Sequence, residues 1–138
     1  MWKDFLSSIG IGNIKVDTIV ENTTLTPACD LKGEVIIEGG LSDQDVNKIV
    51  LTVFIRTEDY REDSDFTYHE KELHGYALNQ IGVVKAGEVK RIPFNFSLSK
   101  DHPLSDDKTE TFLRTLVDIP QAVNPTDEDS IKVVKSLS

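Results

Sequence analysis

Arg91-Ile92-Pro93-Phe94-Asn95-Phe96-Ser97-Leu98 sets an apolar residue at every second position: Ile92, Phe94, Phe96 and Leu98 on one side, Arg91, Asn95 and Ser97 on the other. A period of two marks a strand with one dry and one wet face, because successive side chains leave opposite sides of an extended backbone. Pro93 has no amide hydrogen to give a neighbour, which predicts a place on a sheet edge or at a bulge.

The same period recurs on both sides of this stretch. Upstream, a turn at Ala86-Gly87 follows a strand from about Phe66 to Gln80, and an acidic connection, Glu58 to Asp65, precedes that strand. Ile49, Leu51, Val53 and Ile55 form an inward row, while Val50 and Phe54 make the opposite face partly apolar, as suits a central strand. Gly39-Gly40 ends a strand in which Leu31, Val35 and Ile37 alternate with Lys32, Glu34 and Glu38. A turn around Pro27 separates it from Ile14, Val16, Thr18 and Val20, which alternate with Lys15, Asp17 and Glu21. Downstream, a polar loop from Lys100 to Glu110 leads to Leu113, Thr115, Val117 and Ile119, and then to Ile131 and Val133. About seven short strands without βαβ alternation predict an all-β fold: an immunoglobulin-like antiparallel β-sandwich over residues 13–138.

The first twelve residues differ. Trp2, Phe5, Leu6 and Ile9 recur at helical spacing and Gly10 and Gly12 follow as stop signals, which predicts a short amphipathic helix over residues 1–12. Its apolar stripe is the candidate docking surface for a partner or a second domain. Packing within the protein is favoured, since so short a free helix is marginal.

Composition limits the function classes. The 138 residues suffice for one core, 38% are hydrophobic and 28% charged, and Cys29 has no partner in the chain. Neither disulfide nor metal is needed for stability, and a lone cysteine points to a reducing compartment, hence the cytoplasm. Fifteen basic against 24 acidic residues leave a net charge of −9, whose field opposes nucleic acid and anionic membrane surfaces. Neither a secretory signal nor an apolar stretch of membrane-spanning length is visible.

Several segments carry a family resemblance. Leu25-Thr26-Pro27-Ala28-Cys29-Asp30-Leu31-Lys32-Gly33-Glu34-Val35 and Lys85-Ala86-Gly87-Glu88 before Ile92-Pro93-Phe94-Asn95-Phe96 resemble the turn-and-strand signatures of arrestin-like domains. With Leu116-Val117-Asp118-Ile119, Asn124-Pro125-Thr126-Asp127-Glu128-Asp129 and the opening Ser8-Ile9-Gly10-Ile11-Gly12, the chain is similar to bacterial sporulation-control proteins of the sporulation stage zero M family. The positions carrying the signature are Pro27, Gly33, Gly87, Pro93, Phe94, Asp118, Pro125 and Asp127. The resemblance implies an arrestin-type sandwich, the first of two such domains in the longer family members, and a regulatory role in sporulation. Ala28 and Cys29 depart from the glycine and acidic residue usual in the first turn, and Phe112 stands where tryptophan is common. Without glycine at its third position that turn is expected to be type I.

No catalytic constellation accompanies these motifs. Asp59, Arg61, Asp63, Asp65 and Glu70 fall at positions one, three, five, seven and twelve of a calcium loop, but a cation occupies position three and Ser64 the required glycine position. A solvated acidic connection is the expected reading. Asp127 and Asp129, with Asp118, present carboxylates for a cation, yet Asn124-Pro125-Thr126-Asp127 reads better as a turn whose side chains bond nearby amides. His69 and His74 should face opposite sides of a strand unless a bulge intervenes, and Cys29 with one histidine falls short of a zinc set. Phosphate-loop and nucleophile-elbow patterns are missing. The expectation is a non-catalytic regulatory or adaptor protein with no cofactor and no metal. It would act by protein–protein association, with a homodimer through sheet edges or the N-terminal helix as one form. The alternative is a ligand-binding sandwich for carbohydrate or metal, for which Tyr60, Tyr68 and Tyr76 are the aromatic candidates.

Overall fold

The computed structural model describes residues 13–60, 66–120 and 122–135. Eight strands lie among them: β1 (Lys15–Val20), β2 (Thr24–Leu25), β3 (Asp30–Glu38), β4 (Gln44–Tyr60), β5 (Phe66–Val84), β6 (Val89–Ser97), β7 (Thr109–Asp118) and β8 (Thr126–Val133). They form a three-stranded sheet in the order β1-β3-β6 and a five-stranded sheet in the order β2-β8-β7-β4-β5.

The expected fold is corrected in three respects. There are eight strands, because the two-residue β2 was too short to show a period. β2 runs parallel to β8, so the pairing is not wholly antiparallel. No helix occurs among the described residues; the one expected over residues 1–12, with Trp2, Phe5, Leu6 and Ile9, falls outside them.

The two sheets bury one shared core. Val16, Val35 and Ile37 of the smaller sheet meet Leu51, Leu113 and Val117 of the larger, all fully buried. Each such side chain contributes roughly 1.5–3 kcal/mol by leaving water. Phe94 and Phe96 enter the core from β6 as their alternation required. β6 is an outer strand of its sheet, the edge position that Pro93 needs. Gly33 is dictated by close approach, since a Cβ there would collide with the Ile19 carbonyl oxygen and the Phe94 ring.

The chain passes from the larger sheet to the smaller twice, each time through a tight turn. Between β5 and β6 the Glu88 amide donates to the Lys85 carbonyl (2.9 Å), and Gly87 takes φ +73°. Between β2 and β3 the Cys29 amide donates to the Thr26 carbonyl (3.1 Å), and Ala28 takes φ +68°. Pro27 at the second position and positive φ at the third define a type II turn. The type I turn expected from the missing glycine is therefore wrong. The β2–β8 pairing and the bonds of Ala28 N–H to Ser99 O and Leu98 N–H to Cys29 O hold both ends of the crossing, and Ala28 bears the strain.

Phe54 lies on the outer face of the larger sheet and is nonetheless fully buried. It stacks on Phe112 with ring centres 5.4 Å apart, and the guanidinium of Arg114 covers it at 4.3 Å while that of Arg56 covers Phe112 at 4.6 Å. Glu70 pairs with Arg56 at 2.7 Å and Glu128 with Arg114 at 2.8 Å. Phe112, the residue that departs from the family pattern, is thus one plate of a self-satisfied lattice. The partly apolar outer face read for β4 serves it.

Candidate functional site

Two strands bound the side of the molecule where β5 faces β6. β5 is the outermost strand of the larger sheet and β6 an outermost strand of the smaller, and β5 pairs along its length with β4 alone. Nineteen residues long, β5 therefore offers a row of backbone groups that no strand among the described residues takes up. Such an edge is a template for another extended segment.

A bulge shapes this edge. The register between β4 and β5 slips between Val53, opposite His74, and Phe54, opposite Glu72, so Leu73 is an extra residue. The slip reverses the side-chain phase. His69 opposes Thr57 and His74 opposes Val53, and since both β4 residues have odd numbers, the two histidines share the inward face. The expectation that they lie on opposite sides is corrected by the exception it named. They remain far apart along the strand, and no metal-binding group of three or more ligands is found among the described residues.

The bulge aims His74 and Tyr76 across the gap. His74 stacks on Phe96 with centroids 5.4 Å apart, Tyr76 stacks on the same ring at 5.3 Å, and Phe94 tilts against it at 6.1 Å. Aromatic stacking thus bridges two sheets that exchange few other contacts on this flank. At one end of the bridge lies a cleft of about 240 Å³, lined by Val53, Leu73, His74, Leu98, Ser99, Asp101, His102 and Pro103. Apolar Val53, Leu73, Leu98 and Pro103 make up half of that lining.

His102 closes the cleft from within. Read as part of a polar loop, it is instead buried, its Nε2 2.9 Å from the hydroxyl of fully buried Thr111. Burial pushes its pKa below the ordinary histidine value, so the neutral ring is favoured.

The other sequence candidates lie elsewhere. Cys29 is exposed, its sulfur 2.9 Å from Thr26 Oγ1, and that contact lowers its pKa. Residues 61–65 of the calcium-loop template fall outside the described residues, and Glu70 is engaged with Arg56. The side chains of Tyr60 and Tyr68 fall outside them too. Asn124 does make the expected local bond, its Oδ1 accepting from the Ile119 amide at 2.9 Å. Asp127 does not: its carboxylate accepts from the Thr18 amide of β1 at 2.9 Å. Asp118 ends β7 on the opposite face, so it joins neither Asp127 nor Asp129. No sequence signal marked the Phe96 stack, because it depends on a bulge and on two strands twenty residues apart.

These features define a two-sheet β protein with an open flank between β5 and β6. Comparison places it more narrowly: the family model described as SpoOM protein matches residues 2–137, and the chain belongs to that family. The sporulation-control protein spo0M of Bacillus subtilis (strain 168) is 31% identical over 134 residues, covering 96% of this chain and 51% of the relative. The chain thus spans about half the length of the curated relative it matches. The crystal structure of that B. subtilis protein superposes with a TM-score of 0.80 at 30% identity, covering 91% of this chain and 51% of the other. AvmM, described as catalysing macrocyclization in alchivemycin A biosynthesis, shares the fold at a TM-score of 0.58 and 13% identity, over 92% of both chains. No helix among the described residues is long and apolar enough to cross a membrane.

Proposed function

We propose that this chain is a non-catalytic regulatory module of sporulation control that acts by binding other proteins through its open flank. The observation that carries the reading is the outer edge of β5, a nineteen-residue strand largely exposed from His69 to Val83, beside an apolar cleft. An extended segment of a partner adds there as a further strand, its backbone supplying affinity, while one apolar side chain enters over Leu73, Leu98 and Pro103 and supplies selectivity. The control of sporulation named for the B. subtilis relative supports the regulatory part. A net charge of −9 keeps such a module off nucleic acid and anionic membranes and fits work in the cytoplasm.

The test is complementation in a spore-forming host that requires the gene. Leu73→Glu sets a charge on the cleft wall and is expected to lower spore yield about tenfold, the effect of losing roughly 1.4 kcal/mol of affinity. The purified variant should melt near the wild-type temperature. Full complementation by a folded Leu73→Glu protein overturns the use of this flank.

A further inference from the structure

The opposite flank, where β1 meets β8, holds three carboxyl groups that the proposed function does not use. The amide of Thr18, on the free edge of β1, is shared between Asp17 Oδ1 and Asp127 Oδ2, both at 2.9 Å. Behind it the hydroxyls of Thr18 and Thr115 meet at 2.7 Å, both residues buried. Asp127 therefore caps a backbone donor that an edge strand would otherwise offer to water or to a foreign strand. Asp129 stands two residues on, beside Asp127 on the same inward face of β8. Two neighbouring, half-buried carboxyl groups resist carrying both charges at once. Asp129 Oδ2 is buried and finds no partner among the described residues.

The surroundings offer no compensation for a second negative charge. From β1 the facing groups are Asp17 and the neutral Thr18; from β7 they are Leu113 and Thr115, opposite Asp129 and Asp127. Cations on the adjoining strands β1 and β7 are engaged elsewhere: Lys15 lies 3.9 Å from Glu38, and Arg114 is held by Glu128 and Glu70 on the outer face. Glu128 and Lys132 share that outer face by alternation. Burial, then the charges of Asp127 and Asp17, raise the Asp129 carboxyl to about 7, and burial raises that of Asp127 as well.

We propose that Asp127 and Asp129 form a proton-operated latch: the pair, sharing one proton, holds the free edge of β1 against β8, and loss of the proton loosens that flank. The sign follows from linkage. The folded pair binds its proton more tightly than the open chain, whose aspartate titrates near 4, so the latch is fully closed in acid and weakens as pH rises towards 7. The consequence is an edge, β1, exposed in a pH-dependent way.

Amide exchange of Thr18 in the full chain, corrected for intrinsic rates, reads the latch directly. Wild-type protection is expected to fall at least about threefold per pH unit between about pH 5 and about pH 7, whereas Asp129→Asn, which cannot ionise, stays flat. A carboxyl-carbon titration monitored by NMR gives a readout independent of any variant, and Asp127→Asn serves should Asp129→Asn fail to fold. Constant wild-type protection, an equal fall in a folded Asp→Asn variant, or an Asp129 midpoint at the ordinary aspartate value each overturns the proposal.

Discussion

At the β1–β8 flank the sheets are stitched by polar atoms: a shared amide, two touching hydroxyls and a carboxyl pair. At the β5–β6 flank they are bridged by rings, with His74 and Tyr76 laid on Phe96. The difference teaches why one flank is closed and the other available. Polar stitches satisfy the β1 edge at Thr18, so that it has less to offer a visitor. Aromatic bridging leaves β5 without a second strand partner among the described residues and keeps a cleft beside it. Directional bonds finish an edge; stacking merely spans a gap.

The contrast can be broken most forcefully at Phe96. Phe96→Ala removes the ring on which His74, Tyr76 and Phe94 converge, and should cost about 3–5 kcal/mol in chemical denaturation. His74→Ala, which deletes one exposed partner, should cost no more than about 0.5–1.5 kcal/mol. Equal losses for the two would mean that the stack does not bridge this flank.

On the closed flank the expected pattern is non-additive. Thr115→Val strands the buried Thr18 hydroxyl and is expected to cost about 1–3 kcal/mol. Adding Thr18→Val should recover part of that loss, because an apolar pair leaves neither hydroxyl unpaired. A double-mutant cycle with no coupling would show that the hydroxyls do not act together.

At their third positions, Ala28 and Gly87, the two crossing turns differ by one methyl group. Ala28→Gly relieves a left-handed alanine and should raise stability by about 0.5–1 kcal/mol, while Gly87→Ala should lower it by about 1 kcal/mol. Thermal midpoints moving in opposite directions would confirm that both are type II turns. The smallest effect is at His102. Its pKa is lowered in the fold, so as pH falls below the ordinary histidine value the unfolded chain takes a proton that the buried ring resists. Stability should therefore decline on acidification at this site, and His102→Asn should lose that component of the slope. Asp129 slopes the other way, so the two flanks answer pH with opposite signs.

Much of this was legible in the chain. Six of the eight strands announce themselves because burial of one face imposes a period of two, whereas β5, largely exposed, showed the weakest period and was read only from about Phe66 to Gln80; Pro93 announced an edge because it lacks a donor. β2 escaped because two residues carry no period. The phase of β5 escaped beyond Leu73 because a bulge is a pairing error, visible only when the partner strand is in place. His102 looked exposed because its neighbours are polar; its burial comes from the loop folding back beneath Thr111. Asp127 looked like a turn residue because its partner, Thr18, is distant in sequence.

Alternation, turn residues and the ordered signature segments were thus enough to give a sheet-on-sheet protein of the SpoOM family, since those properties are local. Which edge is finished, which is open, and which carboxyl groups are buried together were decided by the tertiary structure alone. Those properties arise where strands far apart in sequence pack together, and burial there changes both hydrogen bonding and charge.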